Sequence, residues 1–401
     1  MKRLKLILAT LALTVLVGCD NVDDDIIQIT FWHVLNGSQE TLLQTLTDEF
    51  TAQNEGITIN LVNKTNHSEL SSQITAALIS PKTLPTISQA YIDWMLNPIA
   101  DGLVIDILPY ILSYPDGQNR LDDCIDGFIK PLMINDALYG LPFTKSSEVI
   151  WYNKTLFDEL GLKPPTSFEE LTEVSKIIYS EKGIPGAGFD SLSNYFYTYL
   201  YGNGVKYDPT NDNQEILNEM VNYYLDGVNE GYFRISGTDR FLSQPFGDEM
   251  LGMYIGSTAS ESFITDNVDG KFEIEAAPHP AGYSIQQGTD VFIFSSADDS
   301  QKEAAYAYLR HLASPEVQQQ WAIETGYLPI KESVLEIPEY KESDSHIPKL
   351  DFTLYSKTMV TNANTIVSEI ELTLETILSS QNPDVEKEML DLESKLLSYW
   401  D

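Results

Sequence analysis

The sequence predicts an α/β fold that is divided into two lobes. The chain has 401 residues, which is more than one hydrophobic core usually organises. In its N-terminal part, apolar segments of strand length alternate with segments of helical period, an order that is typical of a parallel sheet covered by helices. The stretch 141–157 then combines polar residues, a buried strand and a helix start, and we expect it to carry the chain from one lobe to the other.

The predicted N-terminal sheet indicates where a ligand would bind. Its expected strands are 26–31, 57–62 and 86–91, and its expected helices are 38–50, with Ser38 as N-cap, and 68–78. Ligands of open parallel sheets bind beyond the carboxyl ends of the strands. At these ends the sequence has Trp32 with His33, Asn66 with His67, and Tyr91 with Asp93 and Trp94. Aromatic faces beside hydrogen-bonding groups suit a sugar.

The stretch from Leu141 to Phe157, LPFTKSSEVIWYNKTLF, is predicted to form a loop, a strand and a helix in that order. Residues 149–152 are β-branched or aromatic, as in a strand that is covered on both faces, and apolar residues at helical spacing follow. The polar residues 144–148 lie between apolar flanks. We expect them either to hydrogen-bond a ligand or to form an ordinary polar loop.

The rest of the chain is predicted to continue with alternating helices and strands. The expected helices are 171–179, 303–312, 315–323, 362–380 and 385–399, and the expected strands are 186–189, 250–255 and 291–294. Residues 256–259 should begin a helix whose backbone amides could face the ligand. Asp208, Thr210, Asp212 and Glu219 have the spacing of a calcium loop, but Asn213 stands where that loop needs glycine, so we predict no metal site.

The N-terminus has the pattern of a bacterial lipoprotein signal. Basic residues precede the apolar run 6–17, which is too short to span a bilayer, and Cys19 follows directly after Gly18. Residues 1–18 would be removed, Cys19 would carry acyl chains, and 19–26 would form an acidic tether. Two or more chains anchor a protein stably, so we expect an extracytoplasmic protein anchored to the cell membrane. A simple secretory signal with a chance cysteine is the alternative.

The charge of the chain excludes some classes of partner. Its formal net charge is −36, which argues against binding to nucleic acid and against an electrostatic hold on anionic lipid. This charge does not favour a cationic ligand, because surface charges are screened over about 8–10 Å. After lipidation of Cys19, Cys124 would be the one remaining thiol, so no intramolecular disulfide is expected.

Three stretches spread over most of the mature chain carry a family resemblance. They are ITFWH at 29–33, LPFTKSSEVIWYNKTLFDELGLKPPTSFEEL from Leu141, and SPEVQQQWAIETGYLPI at 314–330. Together they resemble the family 1 extracellular solute-binding proteins of ABC importers, and most closely the branch that contains the glycerol-3-phosphate and multiple-sugar receptors. The resemblance is specific for the family and leaves the ligand open.

This resemblance implies a type II periplasmic-binding-protein-like fold, with a mainly parallel sheet flanked by helices in each lobe and hinge crossovers between the lobes. It implies an N-terminal lobe of 27–140 plus 289–340 and a C-terminal lobe of 141–288 plus 341–401. The tyrosine-rich run 195–201 alternates like a strand, but the resemblance implies a helix. The implied protein is a monomeric receptor without a cofactor, which closes on its solute and delivers it to the permease subunits of an ABC importer.

Departures from the glycerol-3-phosphate receptors favour a neutral ligand. Where those receptors carry tyrosine and glutamate, this chain has His67 and Ile92, and where they carry a late arginine, residues 350–362 contain none. A dianionic phosphate is normally met by a cationic fork. We therefore expect a neutral mono- or oligosaccharide. The alternative is glycerol-3-phosphate or a glycerophosphodiester, whose charge would be met by backbone amides at Ser257 and Thr258.

The predicted ligand-binding residues come from the strand ends, from the crossing stretch and from the resemblance. They are Trp32, Asn36, His67, Tyr91, Asp93, Ser146, Glu148, Ser257, Thr289 and Tyr327. We assign no catalytic residue, because the chain has no nucleophile elbow, zinc-protease motif or phosphate-binding glycine loop. The two carboxylates of a glycoside hydrolase are near each other in space and have no fixed spacing in the sequence, so a glycan-active enzyme stays as a weaker alternative. A surface adhesin is a second weaker alternative.

Overall fold

The computed structural model describes residues 26–239, 241–351 and 353–400. The predicted signal segment and the predicted lipidation site, Cys19, lie outside these ranges. Within them, no helix is both long and apolar enough to cross a bilayer. Cys124 is a buried free thiol.

The N-terminal part of the chain alternates strands and helices up to a buried strand, β6. Its elements are β1 (Ile27–His33), α1 (Gly37–Gln53), β2 (Ile57–Asn63), α2 (His67–Leu78), β3 (Ile87–Ala90), α3 (Ile92–Ala100), α4 (Leu108–Leu112), α5 (Gly117–Asp122), α6 (Asp126–Ile129), β4 (Met133–Ile134), β5 (Ala137–Leu138) and β6 (Gly140–Ser146).

The middle of the chain supplies most of a second sheet. Its elements are β7 (Glu148–Asn153), α7 (Lys154–Leu160), α8 (Phe168–Lys182), β8 (Ala187–Phe189), α9 (Leu192–Gly202), α10 (Gln214–Glu230), β9 (Phe233–Ile235), α11 (Ser243–Gly247), β10 (Met253–Ser257), α12 (Glu261–Val268), β11 (Ile274–Pro278) and β12 (Ser284–Ile285).

The last part of the chain returns to the first sheet and ends in two long helices. Its elements are β13 (Gln287–Ile293), α13 (Asp299–Leu312), α14 (Pro315–Thr325), α15 (Glu332–Leu335), α16 (Pro338–Lys341), β14 (Leu354–Tyr355), α17 (Ala363–Ser379) and α18 (Val385–Tyr399).

Two five-stranded sheets organise the described residues, and in each of them one strand runs against the other four. The first sheet has the order β2-β1-β3-β13-β6, in which β13 is antiparallel to both of its neighbours. The second has the order β11-β7-β10-β8-β9, in which β7 is antiparallel to both of its neighbours. The predicted mainly parallel sheets are thus confirmed, and the reversed strand of each lies beside a point where the chain changes sheets.

Apolar side chains of the helices cover both sheets. Leu43 and Leu46 of α1 join the core of the first sheet, and α13 packs against β1. Ile366, Ile370 and Leu374, on one face of α17, are buried in the core of the second sheet. Full burial of such a side chain stabilises the fold by about 1.5–3 kcal/mol. The tyrosine-rich run lies in α9, as the resemblance implied, with Tyr195, Tyr197 and Tyr199 buried.

The predicted loop at the start of the crossing stretch is wrong, because residues 140–146 form the strand β6. The chain passes from the first sheet to the second at Ser147, directly between β6 and β7. A polar strand can be buried here because its side chains have internal partners: Thr144 Oγ1 lies 2.7 Å from Thr289 Oγ1, and Ser147 Oγ donates to Ser284 Oγ at 2.6 Å. The division into lobes stays a prediction, and this strand order favours a first boundary at 147.

Two details at the end of β1 also differ from the prediction. Trp32 and His33 are the last residues of the strand instead of lying beyond it, and His33 is buried. The N-cap residue of α1 is Asn36, with extended backbone at φ −134° and ψ 162°. Ser38 therefore lies inside the helix. We predicted Ser38 because serine is a common N-cap. The prediction failed because the helix begins one residue earlier, at Gly37, whose φ of 58° lies in the left-handed region.

Candidate functional site

The candidate site lies beside the crossing, where the ends of the two sheets meet. From the first sheet, β3 leads into α3, which has Tyr91 as its N-cap residue and Asp93 in its first turn. From the second sheet, β7 begins with Glu148, and the segment before α17 contributes Lys357. Lys357 interacts electrostatically with both Asp93 and Glu148, so these four elements lie near one another, and we call the region between them the cleft.

Aromatic rings line the side of the cleft that belongs to the first sheet. The ring centroid of Tyr91 lies 5.3 Å from that of His67 and 5.0 Å from that of Trp94. Burial raises the pKa of Tyr91 to about 12, so its phenol stays protonated. The ring of Tyr327 is stacked on the ring of Trp321, with the two ring centroids 5.9 Å apart. Tyr327 also interacts electrostatically with Tyr91. The cleft thus offers flat apolar faces beside phenol hydroxyls.

Two carboxyl groups, that of the buried Glu148 and that of the half-buried Asp93, belong to opposite sides of the cleft. Glu148 is 2 % exposed, and Asn194 Nδ2 donates to its Oε1 at 3.0 Å. Burial raises the pKa of Glu148 to about 8, and the hydrogen bond from Asn194 offsets only part of this rise. Burial also raises the pKa of Asp93 to about 6, against the effect of Lys357. Asp93 Oδ1 is buried without a hydrogen-bond partner among the described residues, which leaves an acceptor for a ligand.

Two lysines lie in the same region, and their environments differ. Lys145 Nζ forms an ion pair with Asp290 Oδ1 at 2.5 Å, with both side chains no more than 5 % exposed. Lys357 Nζ lies 5.3 Å from the ring centroid of Tyr197 and forms no ion pair within 4 Å in the described part of the chain. Burial lowers the pKa of Lys357, against the effect of Asp93 and Glu148. Lys145 is therefore neutralised, whereas Lys357 still has donors for a ligand.

Direct hydrogen bonds join the two sides of the cleft. Asn364 of α17 accepts a hydrogen bond from Trp94 Nε1 of α3 and donates one to Ser71 Oγ of α2 at 2.8 Å. Gln39 Nε2 of α1 donates to the carbonyl of Ala259, after β10, at 3.0 Å. These contacts connect helices of the first sheet to segments of the second.

The residues that have the spacing of a calcium loop form hydrogen bonds within their own segment. Asp208 Oδ1 accepts from the Thr210 amide at 2.9 Å and from the Thr210 hydroxyl at 2.6 Å, and Asn213 Nδ2 donates to the Asp208 carbonyl at 3.0 Å. Among the residues that the structure describes, no group of three or more histidine, cysteine or acidic side chains is placed to hold a metal ion.

The chain matches a known protein family over most of its length. Residues 45–349, well over half of the chain, match the family model for bacterial extracellular solute-binding proteins. The chain belongs to this family. Solute-binding proteins are receptors, and the similar proteins described next carry binding-protein or receptor names, so the family does not point to an enzyme.

Relatives of this solute-binding protein include receptors with different ligands. The sn-glycerol-3-phosphate-binding periplasmic protein UgpB of Brucella abortus is 24% identical over 344 residues, which cover 79% of this chain and 77% of that protein. Among solved structures, the GacH receptor of Streptomyces glaucescens, determined unliganded and with acarbose, has a TM-score of 0.79 at 19% identity and covers 93% of this chain and 99% of that one. UgpB of Mycobacterium tuberculosis in complex with glycerophosphocholine has a TM-score of 0.78 at 20% identity and covers 93% of this chain and 98% of that one.

Ring contacts and electrostatic interactions connect half of the predicted ligand residues of this solute-binding protein in the region of the cleft. They are His67, Tyr91, Asp93, Glu148 and Tyr327. Trp32 and Asn36 lie at the carboxyl end of β1, where Lys64 Nζ sits 3.9 Å above the Trp32 ring centroid and Asn36 is exposed. Ser146 is the buried last residue of β6. Contact of these residues with a ligand stays a prediction.

Two other predicted ligand residues use their side chains inside the protein. Thr289 Oγ1 pairs with the hydroxyl of Thr144, and Ser257 Oγ accepts from the Ala259 amide at 3.2 Å. Ser257 belongs to β10, so the expected helix start at 256–259 is wrong: residues 258–260 form a 3₁₀ turn before α12.

The backbone amide of Thr258 does not face the cleft as predicted. It donates to the carbonyl of Ser147 at 2.8 Å. The prediction failed because an amide near a helix start is free only if no neighbouring segment accepts from it. Here the crossing residue Ser147 lies against the end of β10 and takes that hydrogen bond.

Sequence reasoning missed three site residues, Lys357, Asn194 and Asn364. The prediction for residues 350–362 considered arginine alone, although a lysine there has the same charge. Asn194 and Asn364 lie 46 and 270 residues from their partners Glu148 and Trp94. No local spacing signals contacts over such separations.

Replacing Glu148 by glutamine should weaken the dependence of stability on pH. The pKa of this acid is raised from its ordinary value of 4.5 to about 8 in the folded protein. Between these values the folded state binds more protons than the unfolded state, so the free energy of unfolding falls as pH rises. Urea unfolding between about pH 5 and about pH 8 should show a smaller fall for Glu148→Gln than for the wild type.

The control for this prediction is Glu386→Gln, which changes an exposed acid in the first turn of α18. It should follow the wild type at every pH. Equal pH slopes for Glu148→Gln and the wild type would contradict the assignment of Glu148 as a carboxyl that holds its proton.

Replacing Asn364 by alanine should shift the protein towards an open arrangement. The change removes the hydrogen bonds to Trp94 and Ser71, each with a net contribution of about 0.5–1.5 kcal/mol. Small-angle scattering of the ligand-free protein should therefore give a larger radius of gyration for Asn364→Ala than for the wild type. Ser71→Ala, which removes one of the two contacts, should have a smaller effect.

Asn382→Ala, at an exposed position after α17, is the control and should scatter like the wild type. If Asn364→Ala also scatters like the wild type, the hydrogen bonds of Asn364 do not hold the two sides of the cleft together.

Proposed function

We propose that this protein is an extracytoplasmic, lipid-anchored receptor that captures a neutral mono- or oligosaccharide between its lobes and delivers it to the permease of an ABC importer. The main support is the cleft, in which the rings of Tyr91 and Trp94 occur in the same region as the half-buried carboxyl group of Asp93 and the buried carboxyl group of Glu148. Sugars present apolar ring faces and hydroxyl donors, and this combination of groups complements both. Family membership supports the receptor role.

The charges of the cleft favour a neutral solute. The charge of Asp290 is matched by Lys145 at 2.5 Å, and Lys357 interacts with two carboxyl groups, Asp93 and Glu148. A phosphate dianion would have to compete with the Asp93 carboxylate for this one ammonium, whereas Glu148 holds its proton and adds no negative charge. A hydroxyl can donate to a carboxylate and accept from an ammonium without any added charge.

Lys357 also supports the alternative function, a receptor for glycerol-3-phosphate or a glycerophosphodiester. Its ammonium forms no ion pair in the described part of the chain, and it lies in the late segment 350–362, which contains no arginine. A lysine is a point-charge phosphate ligand, although it lacks the bidentate fork of arginine. The relatives from Brucella abortus and Mycobacterium tuberculosis are described as binding glycerol-3-phosphate and as in complex with glycerophosphocholine, respectively, which also supports the alternative.

A thermal-shift screen separates the two ligand classes. A ligand at about a hundred times its Kd stabilises the folded protein by about 2.7 kcal/mol. We expect one or more neutral sugars to raise the Tm, and glycerol-3-phosphate and glycerophosphocholine to leave it unchanged. Lys357→Met should weaken sugar binding by about 10- to 150-fold, because a hydrogen bond from a charged group contributes about 1.5–3 kcal/mol.

The control is Lys349→Met, which changes a lysine that lies shortly before the same segment in the sequence and should bind sugar like the wild type. A Tm shift with glycerol-3-phosphate alone, lost in Lys357→Met, would establish the alternative. No shift with any sugar or glycerol phosphate would reject both ligand classes, and release of a hydrolysis product would reject the receptor role in favour of an enzyme.

We further propose that Cys19 carries the lipid and that the mature receptor is a monomer. The support for the lipid anchor is the apolar run that ends in Gly18 and Cys19 after a basic start. Cys19→Ala should move the protein from the membrane to the soluble extracytoplasmic fraction, because two or more acyl chains are needed for stable anchoring.

Cys124→Ala is the matched control for the lipid anchor, since it removes the buried thiol and leaves Cys19 in place. It should stay at the membrane. A wild-type protein that takes up no labelled fatty acid would contradict the anchor.

A further inference from the structure

One histidine fastens the last crossing between the two sheets. Helices α13 and α14 pack against β1 and α1 on the side of the first sheet, and α16 packs against α14. Further along the chain, β14 pairs with β12, and α17 contributes to the core of the second sheet. The chain therefore crosses between α16 and β14. His346 lies in this segment, ahead of Lys357 of the cleft.

The imidazole of His346 contacts three elements on the side of the second sheet. Its Nδ1 lies 2.8 Å from Glu261 Oε1 of α12, and its Nε2 lies 3.2 Å from the Ile274 carbonyl oxygen at the start of β11. The edge of the ring meets Trp151 of β7, with the two ring centroids 6.0 Å apart. The side chain is 19 % exposed, so these contacts are largely shielded from water.

The partners of the imidazole require two protons on the ring. Glu261 receives hydrogen bonds from the His346 amide at 2.6 Å and from the Ser345 hydroxyl at 2.7 Å, so its carboxylate acts as an acceptor throughout. The Ile274 carbonyl can only accept. A neutral imidazole has one N–H donor and one acceptor nitrogen, so one ring nitrogen would face an oxygen without a proton between them. Only the imidazolium satisfies both contacts.

The charged groups around the ring also favour the imidazolium. Glu275 Oε1 of β11 lies 4.0 Å from Nε2. The hydrogen bond with Glu261 and the charges of Glu261 and Glu275 raise the pKa of His346 above its ordinary value of 6.5, against the effects of burial and of Lys349. Burial raises the pKa of Tyr340 of α16, which interacts with Glu261, so this phenol is neutral. Two carboxylates thus oppose one ammonium.

We propose that His346 is a pH-sensitive latch: its imidazolium fastens the last crossing to α12 and β11, and loss of one ring proton releases the segment. A group that binds its proton more tightly in the folded state contributes its full stabilisation below its unfolded pKa and loses it as pH rises through its folded pKa. The latch is therefore closed at mildly acidic pH and open at alkaline pH. It uses no residue of the cleft and needs no solute.

An NMR titration of the imidazole C–H signals of the ligand-free protein tests the protonation of the latch. The His346 signal, identified by its loss in His346→Gln, should have a midpoint above 6.5. Glu261→Gln should lower this midpoint because it removes the adjacent negative charge, and Glu275→Gln should lower it by less. The exposed control Glu386→Gln should leave it unchanged. A wild-type midpoint at or below 6.5 would overturn the proposal, and this measurement decides even if Glu261→Gln does not fold.

Hydrogen exchange of residues 343–350 tests the release of the segment. In the wild type, protection of the His346 amide, which donates to Glu261, should be about 10- to 150-fold lower above the measured midpoint than below it, after correction for intrinsic exchange. His346→Gln cannot titrate and should show no such fall. The control His311→Gln changes a histidine whose Nε2 lies 3.1 Å from the Leu46 carbonyl oxygen, and it should keep the wild-type fall.

Two outcomes of the exchange experiment would reject the latch. Equal protection on both sides of the midpoint in the wild type would mean that His346 forms a static ion pair and releases nothing. A fall that persists in His346→Gln would assign the pH dependence to another group, such as Glu148, whose pKa is about 8.

Discussion

A buried set of hydrogen bonds at Ser147 joins the two sheets, and the position of the cleft depends on it. Ser147 Oγ lies within hydrogen-bond distance of two acceptors, Ser284 Oγ at 2.6 Å and the Ile285 carbonyl oxygen at 2.9 Å, which share its single proton. Ser284 in turn accepts from the Glu148 amide at 3.1 Å and donates its own amide to the Thr353 carbonyl at 2.9 Å. Three segments of the chain are thereby fixed at one point. Loss of any buried partner here would leave donors or acceptors unpaired, at a cost of about 1–3 kcal/mol each.

Because Glu148 directly follows this junction, the same constraint orients the first acid of the cleft. Its backbone is held by Ser284 while its side chain receives the hydrogen bond from Asn194. On the first sheet, Lys145 and Asp290 are held across the β6–β13 pair. Removal of two charges from water costs several kcal/mol, so such a pair is weak evidence for stability. In this cleft its consequence is electrostatic: one acid is neutralised by the protein and does not repel a ligand.

Much of the fold could be predicted from local pattern. The alternation of strand and helix placed β1, α1, β2 and α2 correctly to within a few residues, because apolar periodicity reports which face of an element is buried. The same logic failed at 140–146. The polar side chains of this segment and of Ser147 are satisfied by Thr289, Asp290 and Ser284, which lie more than 130 residues further along the chain. A polar strand of this kind has the same local pattern as a loop.

In the candidate site, too, local sequence predicted some features and only contacts between distant segments decided the others. The sequence by itself determined that Tyr91, Asp93 and Glu148 lie near the ends of secondary-structure elements, where the open sheets of an α/β protein present ligand groups, and it carried the motifs of the solute-binding family. Only the tertiary structure decided that Lys357 interacts with both acids, that Asn364 bridges the two sides, and that the Thr258 amide is already used. The physical reason is that burial, charge pairing and hydrogen-bond satisfaction depend on segments that are distant in the sequence and adjacent only after folding.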